Sequence, residues 1–217
     1  MKLSHHLTDE TLQEYSSGIL NPAMETLIAC HLTVCPTCRQ RSDMADAIGG
    51  LSLSDQDTVP MSANASHILA MDKSTDTRGA AVVPDFKDYP GVPRPLARLL
   101  PAPIAELPWK SFGPGLKQYN LGTQPRKDGA FKLLSLAPGS RMSKHTHGHR
   151  ELTYILSGSY ADDLGQFTAG DIADLSADHH HTPFVDSDVP CVSLIATDSP
   201  VKFDSLFGKI MQPFVGI

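Results

Sequence analysis

The sequence predicts a multidomain protein of mixed class, a small α-helical bundle followed by an all-β antiparallel barrel or sandwich. Three observations predict it. Two sets of metal-ligand residues lie far apart: His31-x3-Cys35-x2-Cys38, with His5 and His6 upstream, and His145-x-His147-x3-Glu151, with His179-His180-His181 after a gap. Apolar residues recur at helical spacing through the first 50 residues but fall into short strand-like runs from Phe131 onward. Between these regions, eight prolines from Val83 to Pro114 exclude a long helix.

The elements follow in order. Thr8 is a helix N-cap, with Asp9 and Glu10 in the first turn where they favour the helix dipole, and Gly18 is a stop. Asn21-Pro22 opens a second helix, Asn as cap and Pro at the first helical position. Met24, Leu27, Ile28 and His31 share one of its faces. Cys35-Pro36 ends that helix and starts a third, whose apolar face is Met44, Ala47 and Ile48 and whose stop is Gly49-Gly50. Residues 51–64 read as a linker rich in Ser, Asp and Asn. A short helix follows, capped by Asn64 and carrying His67, Ile68, Leu69 and Met71, and then a second linker over 72–83. The proline-rich stretch predicts an extended segment lying over a neighbouring domain. Strands are predicted at Phe131 to Leu136, Glu151 to Leu156, Asp171 to Leu175 and Pro190 to Ala196, with Gly or Pro punctuation at Pro138-Gly139, Gly158, Gly165, Gly170 and Pro183.

Bulk composition narrows the function. The chain has 217 residues, 41% of them hydrophobic, and a formal net charge of -6. No basic stripe is present, which argues against direct nucleic-acid binding. No signal-peptide-like run opens the chain, and no apolar stretch is long enough to span a bilayer, so a soluble cytoplasmic protein is expected. Four cysteines do not make a disulfide scaffold. In a reducing compartment a Cys-x-x-Cys pair reads as a metal or redox site.

Thiolate and imidazole together suit zinc. His31 lies on the last turn of the second helix, Cys35 is one turn further along nearly the same face, and Cys38 opens the next helix. The three can converge, and His6 or His5 can supply a fourth ligand. One ion would then tie three helices together, a staple that a core of about 50 residues needs. Cys30 faces about 100° away from His31 and reads as a small core residue.

This region resembles the zinc-binding anti-sigma domain of bacterial transcription regulators, on His6, His31, Cys35 and Cys38 at the extreme amino terminus. The resemblance implies a domain of four helices that wraps an extracytoplasmic-function-type sigma factor and occludes its polymerase-binding surface. The helix near Asn64 to Met71 would be the fourth, with Ile68, Leu69 and Met71 facing the partner.

In the second set, residues two apart on a strand point to the same face, so His145 and His147 converge. Glu151 has matching parity and joins them if the strand continues or bends gently. His149 shares the parity and reads as a solvated rim residue. A further ligand comes from the 179–181 histidines. Three imidazoles and a carboxylate suit zinc, iron, manganese, nickel or copper. Gly139, His145, His147, Glu151 and Gly158 carry the spacing of the first motif of the cupin family. Ala169-Gly170-Asp171, ten residues before His181, resembles the second, with Ala169 where proline is usual. The resemblance implies a small jelly-roll barrel with one divalent metal held by His145, His147, Glu151 and His181, with His179 in reserve.

A zinc-binding anti-sigma domain followed by a cupin resembles the ChrR family of anti-sigma factors over essentially the whole chain. The division this implies is a helical anti-sigma domain over 1–75, a proline-rich linker over 76–104 and a cupin domain over 105–217, with Trp109 to Gln118 as first strand. The implied function is inhibition of an extracytoplasmic-function-type sigma factor, with release on singlet oxygen or related oxidants through the cupin domain. A homodimer through the cupin sheets is compatible with the family. The runner-up is a metal-dependent cupin enzyme, a dioxygenase or isomerase, with a helical appendage. Beyond the ligands no general base is evident, so a regulatory rather than catalytic protein is expected. Cys191 reads as a buried apolar residue and not as the sensor.

Overall fold

The computed structural model describes residues 3–54, 56–57, 66–67, 70, 88–122, 129–142, 145–146, 150–175, 180–198 and 202–203. The predicted Asn64 to Met71 helix, including Ile68, Leu69 and Met71, falls almost entirely outside them.

The helical part follows its local signals. Helix α1 (Asp9–Ser16) is capped by Thr8, whose side chain accepts from the Thr11 amide. Gly18 ends it at φ 66°. Helix α2 (Pro22–Val34) is capped by Asn21, which accepts from the Met24 amide. Helix α3 (Pro36–Ser54) starts at the predicted proline but runs through Gly49-Gly50 to Ser54. Gly49 and Gly50 are thus not a stop, and residues 51–54 are helix rather than linker. Helical glycine costs only about 1 kcal/mol relative to alanine, too little to end a helix that continues to gain backbone bonds. The apolar face predicted on α3 is exposed. Met44 and Ile48 are 60% and 62% exposed, and Leu51 one turn further is 71% exposed.

The proline-rich stretch is shaped rather than simply extended. It holds one helical turn, α4 (Arg94–Ala97), and a 3-10 turn at Ile104–Glu106. Helix α4 packs on α2, and Leu96, Leu100 and Leu107 are buried there.

Eleven short strands are present among the described residues. A six-stranded antiparallel sheet has the order β1 (Lys110–Ser111), β2 (Leu116–Asn120), β3 (Phe131–Leu136), β10 (Cys191–Thr197), β5 (Glu151–Ser157), β8 (Ile172–Leu175). The predicted first strand is therefore two, β1 and β2, parted by the Gly113 to Gly115 turn. A second sheet holds β11 (Lys202–Phe203), β4 (His145–Thr146) and β9 (His180–His181). Strands β6 (Ser159–Asp162) and β7 (Gly165–Thr168) form a hairpin.

Alternation on β5 divides the interior into two cores. Leu152 and Tyr154 join a cluster with Leu133, Ile172 and Leu194 that also contains Leu27, Ile28, Cys30 and Leu96. Ile155 faces the other way, with Leu136, Phe167, Ala173, Leu175 and Cys191. Helix α2 therefore lies on the outer face of the six-stranded sheet, against β5 and β10. Leu27, Ile28, Leu152 and Leu194 are each 0% exposed, and each contributes roughly 1.5–3 kcal/mol by burial.

Candidate metal centres

The amino-terminal cluster is assembled by three elements. Asn21 and Pro22 set the start of α2, which places His31 in its last turn with Cys35 as its C-cap. Pro36 starts α3, which carries Cys38 on its first turn. The segment before α1 delivers His6. One ligand atom from each of His6, His31, Cys35 and Cys38 lies within 4.8 Å of all the others. Between His6 and His5, His6 is the one that points here.

The spacing tests whether zinc fits. Zn–S of about 2.3 Å and Zn–N of about 2.0 Å in a tetrahedron put neighbouring donors about 3.6 Å apart. His31 Nε2 is 3.3 Å from Cys38 Sγ, and His6 Nδ1 is 3.3 Å from Cys35 Sγ and 3.6 Å from Cys38 Sγ. The Cys38 amide donates to Cys35 Sγ at 3.4 Å, the polarity that supports a thiolate. His31, Cys35 and Cys38 are buried, and His6 is the most accessible of the four. Burial pushes the Cys38 thiol up to about 11, with the Cys35 thiol adding to it. Burial also drives the His31 imidazole down to about 4. A buried Cys38 thiol that resists ionisation and an imidazole held neutral belong to a donor set completed by a cation. The residues present therefore fit a zinc ion.

The barrel set is described only in part. His145 and His181 are direct partners in the β4–β9 pair. Glu151 opens β5 in the other sheet, so the strand bearing His145 does not continue into it. Glu151 is buried and accepts from Thr153 Oγ1 at 3.1 Å. His181 is buried too, and its Nδ1 lies 2.9 Å from Oδ2 of Asp162 on β6. The Asp162 side chain is 1% exposed. A carboxylate on Nδ1 fixes the tautomer with the lone pair on Nε2, the arrangement usual behind a metal-bound histidine. His147, His149 and His179 lie outside the described residues. Imidazole nitrogen and carboxylate oxygen are donors that suit a divalent metal.

Asp162 was not anticipated. It sits beside Asp163 in a hairpin, where acidic residues ordinarily mark a solvated turn. Next to it is a cavity of about 570 Å³ lined by Arg141, Ala161, Asp162, Asp163, His181, Thr182 and Phe184. The Arg141 guanidinium lies over the Phe184 ring, 5.1 Å from its centroid. The other two cysteines are inert by position. Cys30 is 0% and Cys191 1% exposed, and burial pushes both thiols up to about 12.

Comparison with known proteins adds the following. The family model for the ChrR cupin-like domain matches residues 100–198. The anti-sigma-E factor ChrR of Cereibacter sphaeroides is 31% identical over 217 residues, covering 100% of both chains. A chain in the crystal structure of Rhodobacter sphaeroides SigE in complex with the anti-sigma ChrR superposes with a TM-score of 0.77 at 30% identity, covering 91% of this chain and 100% of that one.

Proposed function

This chain belongs to the ChrR family of anti-sigma factors, and from that membership we propose that it binds and inhibits an extracytoplasmic-function-type sigma factor, releasing it when the barrel meets singlet oxygen or a related oxidant. Its role is regulatory rather than enzymatic, as an anti-sigma factor. The observation that carries the reading is the end-to-end similarity to an anti-sigma factor, in a chain whose helices converge two histidines and two cysteines. Among the described residues no helix is long and apolar enough to cross a membrane, and a cytoplasmic site of action is part of the reading.

Zinc held by His6, His31, Cys35 and Cys38 would supply the cross-link that fixes the angle between α2 and α3. These helices carry the partner-binding surface. Its described part is the exposed α3 stripe of Met44, Ile48 and Leu51, whose spacing puts them on one face. Ile68, Leu69 and Met71 are proposed to extend it. In the barrel, His145, His147, Glu151 and His181 are the proposed ligands of a second divalent ion, zinc, iron, manganese or nickel. Such an ion supplies Lewis acidity and a site for oxidant attack. Asp162 orients His181, and Thr153 does the same for Glu151.

Co-expression with candidate sigma factors, followed by purification through a tag on this chain, tests the reading. A stable one-to-one complex is expected. It should be lost in Cys35→Ala or Cys38→Ala, each of which removes a ligand. His145→Ala and Glu151→Ala should keep the complex but not release it when photosensitised. Absence of any complex, together with turnover of a small molecule, would favour a cupin enzyme instead.

A further inference from the structure

The zinc cluster is not confined to the helices. His31 has two ring nitrogens, and only Nε2 faces the cluster. Its Nδ1 lies 3.0 Å from the carbonyl oxygen of Gly170, between β7 and β8 of the barrel. Because a carbonyl can only accept, this contact makes Nδ1 the protonated nitrogen and Nε2 the lone-pair donor. Tyr154, on the outer face of β5, meets the same imidazole edge-on, with centroids 6.2 Å apart.

The second histidine of the cluster is braced from the same turn. Asp171 Oδ1 accepts from the amides of Ser4 and His5 at 2.8 and 3.1 Å, immediately before His6. Its other oxygen accepts from the Thr168 amide and hydroxyl, both at 2.9 Å, which rigidifies the turn that holds it. The His5 ring stacks on Phe167 of β7, with centroids 3.9 Å apart. On the far side of His6, the Arg41 guanidinium donates to the Leu7 carbonyl at 2.8 Å, and Asp174 of β8 accepts from the Thr8 amide and hydroxyl at 3.0 and 2.9 Å. The chain around His6 is thus clamped between α3 and the barrel.

We infer that the turn Thr168–Asp171 is a positioning element for the zinc site: Gly170 and Asp171 hold His31 and the His6 segment in ligating geometry, so that zinc occupancy and docking of the barrel onto the helices stabilise one another. The inference rests on zinc binding at His6, His31, Cys35 and Cys38. Groups hydrogen-bonded behind a ligand typically set 10–100-fold in metal affinity, and linkage makes the effect reciprocal. A signal that shifts this turn would reach the helices through two of the four ligands.

The test uses the full-length protein. Zinc affinity is measured by competition with a chromogenic chelator, and the ligand field by the visible bands of the cobalt-substituted site. Asp171→Ala should bind zinc about 10-fold to 100-fold more weakly and shift the cobalt bands, while Asp171→Asn, which keeps the acceptor toward Ser4 and His5, should recover part of both. In the wild type, zinc removal should speed hydrogen exchange of the His5 amide, a measurement independent of how well any variant folds. Unchanged affinity and cobalt bands in a folded Asp171→Ala, or His5 exchange indifferent to zinc, would overturn the inference. Failure of the zinc assignment itself would look different, since the wild type would then bind no metal that depends on Cys35.

Discussion

His31 concentrates much of the physical chemistry of this chain in one ring. It is fully buried, and burial lowers its proton affinity from an ordinary 6.5 to about 4. A histidine whose pKa is lower in the folded state stabilises the fold above the unfolded value and loses that contribution as pH falls toward the folded one. Protein stripped of metal should therefore lose stability between pH 6.5 and about 4. The loss by pH 5 should be about 2 kcal/mol. Urea midpoints of chelator-treated protein at pH 7 and pH 5 check this, with His31→Gln as the control that removes the titration. For the divalent ion proposed in the barrel, Asp162→Asn should weaken binding about 10-fold or more by loosening His181, read by chelator competition with the helical site left loaded. Spacing alone pointed to His31, Cys35 and Cys38, because cap residues fix where α2 and α3 begin; it left His5 and His6 open, and the structure brings His6 to the other three. Asp162 and Asp171 were not legible. Their importance comes from contacts 19 or more residues away along the chain, and a local pattern contains no trace of those.

Among the elements, α3 and the turns of the barrel show where local reasoning works and where it stops. The helix starts of α1, α2 and α3 follow from Thr8, Asn21 and Pro36. The end of α3 was misread because Gly49-Gly50 is a weak penalty and not a steric block. Its apolar stripe was recognised as a stripe, but periodicity reveals a face without revealing what covers it. Ile48→Asp should leave folding stability within about 0.5 kcal/mol of wild type, as is usual for an exposed site. It should nevertheless weaken capture of the sigma factor at least 10-fold in a titration. Normal capture would remove α3 from the binding surface. The cupin spacing of glycines has a steric origin at Gly158, which adopts φ 70°, and where an added Cβ would lie 2.7 Å from the Pro190 carbonyl oxygen and 2.9 Å from Cys191 Cα. Both obstacles are backbone. Gly158→Ala should cost about 2 kcal/mol or more, visible as a lower urea midpoint. At the second motif, Gly170 has φ 93° and follows Ala169 in a turn closed by the Asp171 amide on the Thr168 carbonyl at 2.9 Å. A positive φ at the third position marks a turn in which proline is favoured at the second. Ala169 fills that position without needing proline's ring.

At the scale of the molecule, the sequence divides into helices and strands more sharply than the packing does. One continuous cluster runs from Leu12 and Leu27 on the helices through Leu96 of the proline-rich stretch to Leu152 and Leu194 of the sheet. Composition located that stretch but could not show that it closes this core, because prolines report what a segment cannot be and not where it lies. Helices and barrel should accordingly unfold together, in a single calorimetric transition, and Leu152→Ala should lower it for both with a cost of about 2–5 kcal/mol. Two separated transitions would show the cluster to be divisible. The placement of the four thiols has a practical outcome. Two sit in a cage whose rim is His6, and two are sealed in apolar packing with no tendency to ionise. An alkylating reagent should therefore mark none of them while zinc is bound, Cys35 and Cys38 once a chelator has opened the cage, and all four only in denaturant, so that intact mass alone would reveal how far any treatment has carried the protein.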